Sequence, residues 1–141
     1  MHGFTQAIRL VSAALLLASA FGCASHQELE VDRKTVRFEP LETGRHSVEA
    51  VGVRNTSGQP IHVTTRIDHD AAPFDASLST CTDPLPIGDA CVVFVTFSPN
   101  AAGDFRDRLC VRADDDAECL DLFGAAAPRG AIAFAFDEDA R

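Results

Sequence analysis

Five cysteines are the side chains of this chain best suited to covalent chemistry, and their spacing sorts them. Cys81 and Cys91 lie close together, as do Cys110 and Cys119, while Cys23 stands alone far upstream. In an exported protein four thiols at such spacing make two disulfides, Cys81–Cys91 and Cys110–Cys119. Paired sulfurs are neither nucleophiles nor metal ligands. Cys23 is left over. An unpaired exposed thiol is a liability in an oxidising compartment, whereas an acylated one is not, so Cys23 is assigned as a lipidation site.

The remaining candidates are weaker. Asp68-His69-Asp70 carries metal-ligand types, but a metal centre needs three or four converging groups. His46 and His62 share no spacing with it. Asp114-Asp115-Asp116 offers carboxylates, but calcium takes about six to eight oxygens. A solvated loop and an exposed turn are the expected structures. No Gly-x-Ser-x-Gly elbow, no His-Glu-x-x-His and no phosphate loop occurs in the chain. The expectation is a protein with no catalytic residue, no metal and no cofactor, and so not an enzyme.

These cysteines must be positioned by a modest fold. The chain has 141 residues and a net charge of −9, with ten Phe and no Trp or Tyr. The length suits one domain, for which covalent staples are useful. The acidic balance argues against nucleic acid and against electrostatic docking on anionic lipid. It suits the solubility of an exported domain.

Residues 1–22 read as a signal peptide. Arg9 and the amino terminus give a positive start. The apolar run Leu10–Ala20 is too short to cross a bilayer, which takes about 20 residues. Two processing sites compete. Ala18-Ser19-Ala20 would free a soluble chain at Phe21. Ala20-Phe21-Gly22-Cys23 resembles a bacterial lipobox, with Ala20 and Phe21 departing from its usual residues. Cysteine parity favours the second, which places a lipid on Cys23 and leaves residues 23–28 as a tether. By the same resemblance, Ala24 directly after the cysteine implies the outer membrane.

The mature chain shows alternation of period two and little helical periodicity. Leu29 and Val31 alternate, as do Val36 and Phe38, ending at Pro40. Val51, Val53 and Asn55 share a face. Ile61, Val63, Thr65 and Ile67 repeat the pattern. Asp68–Thr80 reads as a long loop whose Phe74 and Leu78 plug the core. Val93, Val95 and Phe97 follow Cys91, and Pro99 stops that strand. Short strands between turn signals indicate an all-β sandwich. The second cysteine pair fixes a register. With Cys110 opposite Cys119, Leu109 faces Leu120 inward and Arg108 faces Asp121 outward, an opposite-charge pair. The segment Ile132–Phe136 alternates again and reads as a last strand, within a terminal stretch 128–141 that ends in an acidic tail.

Residues 29–127 resemble a single immunoglobulin-like module of the abnormal-spindle, hydin and major-sperm-protein group, in its bacterial choice-of-anchor D form. The resemblance rests on Val36-Arg-Phe38 with Thr43-Gly44, Val51-Gly-Val-Arg-Asn-Thr-Ser-Gly58, Pro60-Ile61, Gly88-Asp-Ala-Cys91, Val95-Thr-Phe-Ser-Pro99, Ala101-Ala-Gly103 and Leu122-Phe-Gly124. Glu39-Pro40 and the Cys110/Cys119 pair depart from the group's pattern. The resemblance implies an immunoglobulin-like antiparallel β-sandwich of about seven strands. It also implies a structural or protein-binding module without catalytic residues. The functional expectation is a monomeric cell-envelope lipoprotein that binds an envelope protein. Alternatives are a periplasmic chaperone acting by strand addition and a secreted accessory or inhibitor domain. Binding is expected from acidic loops, with Asp68, Asp70, Asp75, Asp83 and Asp89 as candidates.

Overall fold

A computed structural model of the chain describes residues 27–69 and 73–131. Cys23, Asp70 and Ile132–Phe136 lie outside these residues, and so do the signal segment and most of the tether. The described chain is all-β, with two sheets packed face to face. Sheet A has the order β1 (Leu29–Val31), β4 (Ser47–Asn55), β7 (Ala90–Phe97), β6 (Phe74–Ser79). Sheet B has the order β2 (Thr35–Arg37), β9 (Asp116–Ala127), β8 (Gly103–Ala113), β5 (Val63–Ile67), and β3 (Leu41–Glu42) also lies along β9.

The alternation in sequence becomes the two faces of each sheet. Val51, Val53, Val93, Val95, Phe97, Leu109, Leu120 and Leu122 all point inward and are buried. Four phenylalanines fill one end of the sandwich. Phe97 stacks on Phe74 at 5.0 Å between centroids and touches Phe38 at 5.4 Å and Phe105 at 5.8 Å. Gly124 lies under this cluster for a steric reason. A Cβ there would stand 2.6 Å from the Phe97 ring.

The β8–β9 hairpin has the expected register, with Cys110 opposite Cys119, Leu109 opposite Leu120, and Arg108 opposite Asp121. The Arg108 guanidinium lies 3.7 Å from the Asp121 carboxylate. The turn falls at Asp114-Asp115, and Asp114 takes a positive φ of 45°, a region that Asp tolerates better than most residues.

Four features differ from the sequence-based expectation. Among the described residues there are nine strand segments rather than about seven. The amino-terminal stretch accounts for much of this. It is cut into three short pieces, because β1 pairs with β4 in sheet A, the chain crosses at Asp32–Lys34, and Pro40 then separates β2 from β3. Sheet B is also mixed, since β2 and β3 run parallel to β9. The Asp68–Thr80 segment is not one loop. Phe74–Ser79 forms β6 and pairs with β7. Its small residues at Ala76, Ser77 and Ser79 hide the strand signal, and pairing with β7 alone imposes it. Finally, Phe74 enters the core, but Leu78 remains 41% exposed on this edge strand.

Candidate binding surfaces

The segment between Cys81 and Cys91 is held at three points. The disulfide joins its ends, with 4.7 Å between the Cα atoms. In its middle Leu85 is buried and exchanges two backbone hydrogen bonds with Ile61, at 2.8 and 3.1 Å. The third support is Asn55, which β4 aims inward. Two amide hydrogens of Asn55 serve three carbonyls, those of Gln59, Leu85 and Pro86, at 2.8, 3.0 and 3.2 Å. Its side-chain oxygen accepts from the Ser57 N–H and hydroxyl. Its backbone N–H donates to Asp89 O and its carbonyl accepts from the Gly88 N–H. A buried polar side chain is tolerated when its hydrogen-bonding capacity is filled in this way. One residue therefore ties the end of β4 to a loop some thirty residues downstream.

Outside this framework the loop presents Asp83, Ile87 and Asp89, all exposed. Ile87 is 57% exposed, the most of any large apolar side chain in the described residues. His62 forms an ion pair with Asp83 across the loop. A hydrogen bond donated by the His62 ring to the Asp83 carboxylate, helped by the charge of that carboxylate, raises the His62 pKa above its ordinary value of 6.5.

A second polar cluster sits where β5 leaves sheet B. Asp107 points inward from β8 and its side chain is fully buried. One carboxylate oxygen accepts from the Arg108 N–H at 2.8 Å and meets His69 Nδ1 at 3.1 Å. The other has no partner. His69 thus serves as a cap over a buried carboxylate. Among the described residues no group of three His, Cys, Asp or Glu side chains is arranged to hold a metal. The third acidic group has local structural work. Asp116 accepts from the Glu28 and Ala117 backbone N–H groups.

Among the described residues, the acidic residues singled out in the sequence do not converge. Asp83 and Asp89 flank the stapled loop, beside Asn55. Asp75 pairs with Thr96 towards the opposite end of sheet A. Asp68 follows β5 in sheet B, its N–H donating to Arg108 O. The Cys110–Cys119 bridge lies on the outer face of sheet B, away from the loop. Sequence reasoning missed Asn55 as an organiser and Ile87 as the exposed tip. The signal for Asn55 was a polar residue in phase with Val51 and Val53, directly before a Thr-Ser-Gly turn.

One edge is left open. The Asp32 N–H donates to Gly52 O, and the Thr56 N–H donates to Glu28 O, so even-numbered residues of β4 direct their backbone groups towards β1. β1 covers only Val53–Asn55. Val48 and Ala50 therefore have no strand beside them among the described residues. Val48 and, on the neighbouring β7, Phe94 are exposed apolar side chains on the same outward face.

Among the described residues no helix is long and apolar enough to cross a membrane. No protein family matches the chain by sequence, and no curated protein does. Among solved structures the chain is similar to the ASH/PapD-like domain of human CEP192, its PapD-like domain 7. The TM-score is 0.57 at 16% identity, over 72% of this chain and 87% of that domain. At that identity the likeness is one of fold. It agrees with the immunoglobulin-like sandwich that the sequence motifs imply.

Proposed function

We propose that this chain is a non-catalytic cell-envelope lipoprotein whose sandwich carries a preformed protein-binding loop. The observation that carries the reading is the loop between Cys81 and Cys91. Its backbone is fixed by a disulfide, by Leu85 and by Asn55, yet it presents an exposed Ile87 between two aspartates. A loop already ordered loses less entropy on binding, and a single apolar side chain at its tip is a natural anchor. The complementary partner has an apolar pocket rimmed by basic groups. Two disulfides suit an oxidising compartment, and the segment ending at Cys23 supplies the route to an envelope membrane. Asp83 and Asp89 belong to this surface. Asp68 and Asp75 do not, and Asp70 lies outside the described residues.

Two measurements test the reading. Mass spectrometry of the mature protein is expected to find acyl chains on an amino-terminal Cys23, and Cys23→Ser is expected to release the chain from the membrane fraction. A mature chain beginning at Phe21 contradicts the anchor. Crosslinking in the envelope is expected to lose its products with Ile87→Asp and with Asp83→Asn/Asp89→Asn. The same products are expected to survive Asp68→Asn/Asp70→Asn/Asp75→Asn. The reverse pattern contradicts the loop.

The open edge at Val48–Ala50 favours a second reading, in which a client strand adds to β4. A proline at position 50, which removes an edge N–H, would abolish binding under that reading and leave it intact under the first.

A further inference from the structure

The outer face of sheet B has a charge opposite to that of the chain. Alternation along β2, β3, β5, β8 and β9 places Arg37, Arg66, Arg106, Arg108 and Arg112 there, against Glu42, Asp104 and Asp121. The whole chain carries −9. Arg108 is paired with Asp121. Among the described residues Arg37 and Arg106 make neither an ion pair nor a side-chain hydrogen bond. They come from strands on either side of β9 and converge on the Phe123 ring, with guanidinium carbons 4.3 and 5.3 Å from its centroid. A surface cavity of about 360 Å³ opens beside them, and Asp104 also lines it.

A guanidinium over an aromatic ring is attracted to its face and keeps in-plane N–H groups for other acceptors. One such group is enough to cover Phe123. A second brings two like charges close together with no carboxylate among the described residues within ion-pair distance of either, an arrangement that a bound anion relieves. A carboxylate can bridge two guanidinium groups only by sharing its two oxygens between them, whereas a phosphate can present a different O–P–O edge to each fork and carries up to about two negative charges against the two positive ones. We propose that Arg37 and Arg106 form a binding site for the phosphate of a small hydroxyl-bearing ester, with Asp104 accepting from a ligand hydroxyl. A soluble sugar or polyol phosphate and a phospholipid headgroup share this chemistry. The site is separate from the stapled loop and does not depend on a lipid at Cys23.

The test follows the arginine side-chain N–H resonances of the disulfide-bonded chain during titration with inorganic phosphate and with glycerol 3-phosphate. Saturable shifts are expected at Arg37 and Arg106. Arg37→Gln and Arg106→Gln are each expected to weaken binding by about tenfold or more, the usual effect of losing a hydrogen bond to a charged group. Arg112→Gln, on the same face but outside the site, is expected to change it by less than about twofold. Asp104→Asn is expected to tighten inorganic phosphate, by removing a like charge, and to weaken glycerol 3-phosphate relative to it. These residues are exposed, so an unchanged backbone amide spectrum confirms that each variant is folded. Arg37→Lys and Arg106→Lys keep the charge and are expected to bind worse than wild type. Absence of saturable shifts overturns the proposal, as does an equal loss in Arg112→Gln, which reduces the effect to general attraction. Flotation with phosphatidic acid vesicles separates the sources. Capture that depends on Arg37 and Arg106 assigns the lipid headgroup, and vesicle-independent binding assigns the soluble ester.

Discussion

The two disulfides close loops of nearly equal length, yet they do different work. Cys110–Cys119 joins two strands already paired over eleven positions, from Gly103–Ala126 to Ala113–Asp116. Leu109, Val111, Leu120 and Leu122 of these strands are fully buried in the core. Cys81–Cys91 closes a segment with no strand ladder of its own. Before β7 begins at Ala90, its only β contact is the bridge from Leu85 to Ile61. In the first region the bridge reinforces a register that packing has set. In the second it helps to create the order. Cysteine spacing therefore reports the presence of a staple but not its role, which depends on how many other interactions hold the same backbone.

The comparison is sharpened most by the side chains that anchor each region. Leu120→Ala in the hairpin and Leu85→Ala in the loop each remove a fully buried side chain. Each is expected to cost about 2–5 kcal/mol in urea unfolding. A loss below about 1 kcal/mol for Leu85→Ala, within the range of surface substitutions, would mean that the loop is not seated on the core.

Removing either disulfide is expected to cost about 2.7 kcal/mol on the loop-entropy account, because that term reflects the unfolded chain and the loops are nearly the same length. Cys81→Ser/Cys91→Ser and Cys110→Ser/Cys119→Ser should have similar unfolding midpoints. A large disparity would show that native-state strain or residual structure, not chain entropy, governs these bridges.

Asn55→Ala removes the side-chain donor from the Gln59, Leu85 and Pro86 carbonyls and the side-chain acceptor from the Ser57 N–H. It is expected to destabilise the chain by about 1–3 kcal/mol, with the amide shift changes confined to the loop and the end of β4. Spectral change spread through the hairpin would erase the distinction between the regions.

The smallest effect is that of pH. His62 has a raised pKa in the folded chain, so its contact with Asp83 stabilises the protein fully below pH 6.5 and is lost as pH rises through the raised value. A histidine titration followed by NMR is expected to place His62 above 6.5, and Asp83→Asn is expected to return it towards that value. No movement in the variant would remove this contact from the loop's supports.

How legible each region was in the sequence follows the same division. The hairpin register could be read because three local constraints agreed: cysteine to cysteine, leucine to leucine, and Arg108 to Asp121. The loop's ends were visible as Cys81 and Cys91, but its main polar support was not. Asn55 acts on carbonyls far along the chain, and no short-range pattern records that. β6 was hidden because Ala76, Ser77 and Ser79 carry little strand preference, and its pairing with β7 decides the matter. The parallel course of β2 and β3 depends on where the chain changes sheets, which alternation alone does not encode. The arginine face was invisible to net charge, because its residues come from β2, β5 and β8 and meet only when the sheet forms.

The most direct test of the account is native-state hydrogen exchange on the wild-type chain and the two disulfide variants. The informative amides are Leu85 and Gly88, which donate to Ile61 O and Asn55 O, against Leu109 and Leu120 in the hairpin. Cys81→Ser/Cys91→Ser is expected to lower protection at Leu85 and Gly88 well beyond the global loss while the hairpin amides follow the global stability. Cys110→Ser/Cys119→Ser is expected to lower all four sites only by the global amount. Equal behaviour of Leu85 and Gly88 in the two variants would contradict a loop held in shape by its own staple.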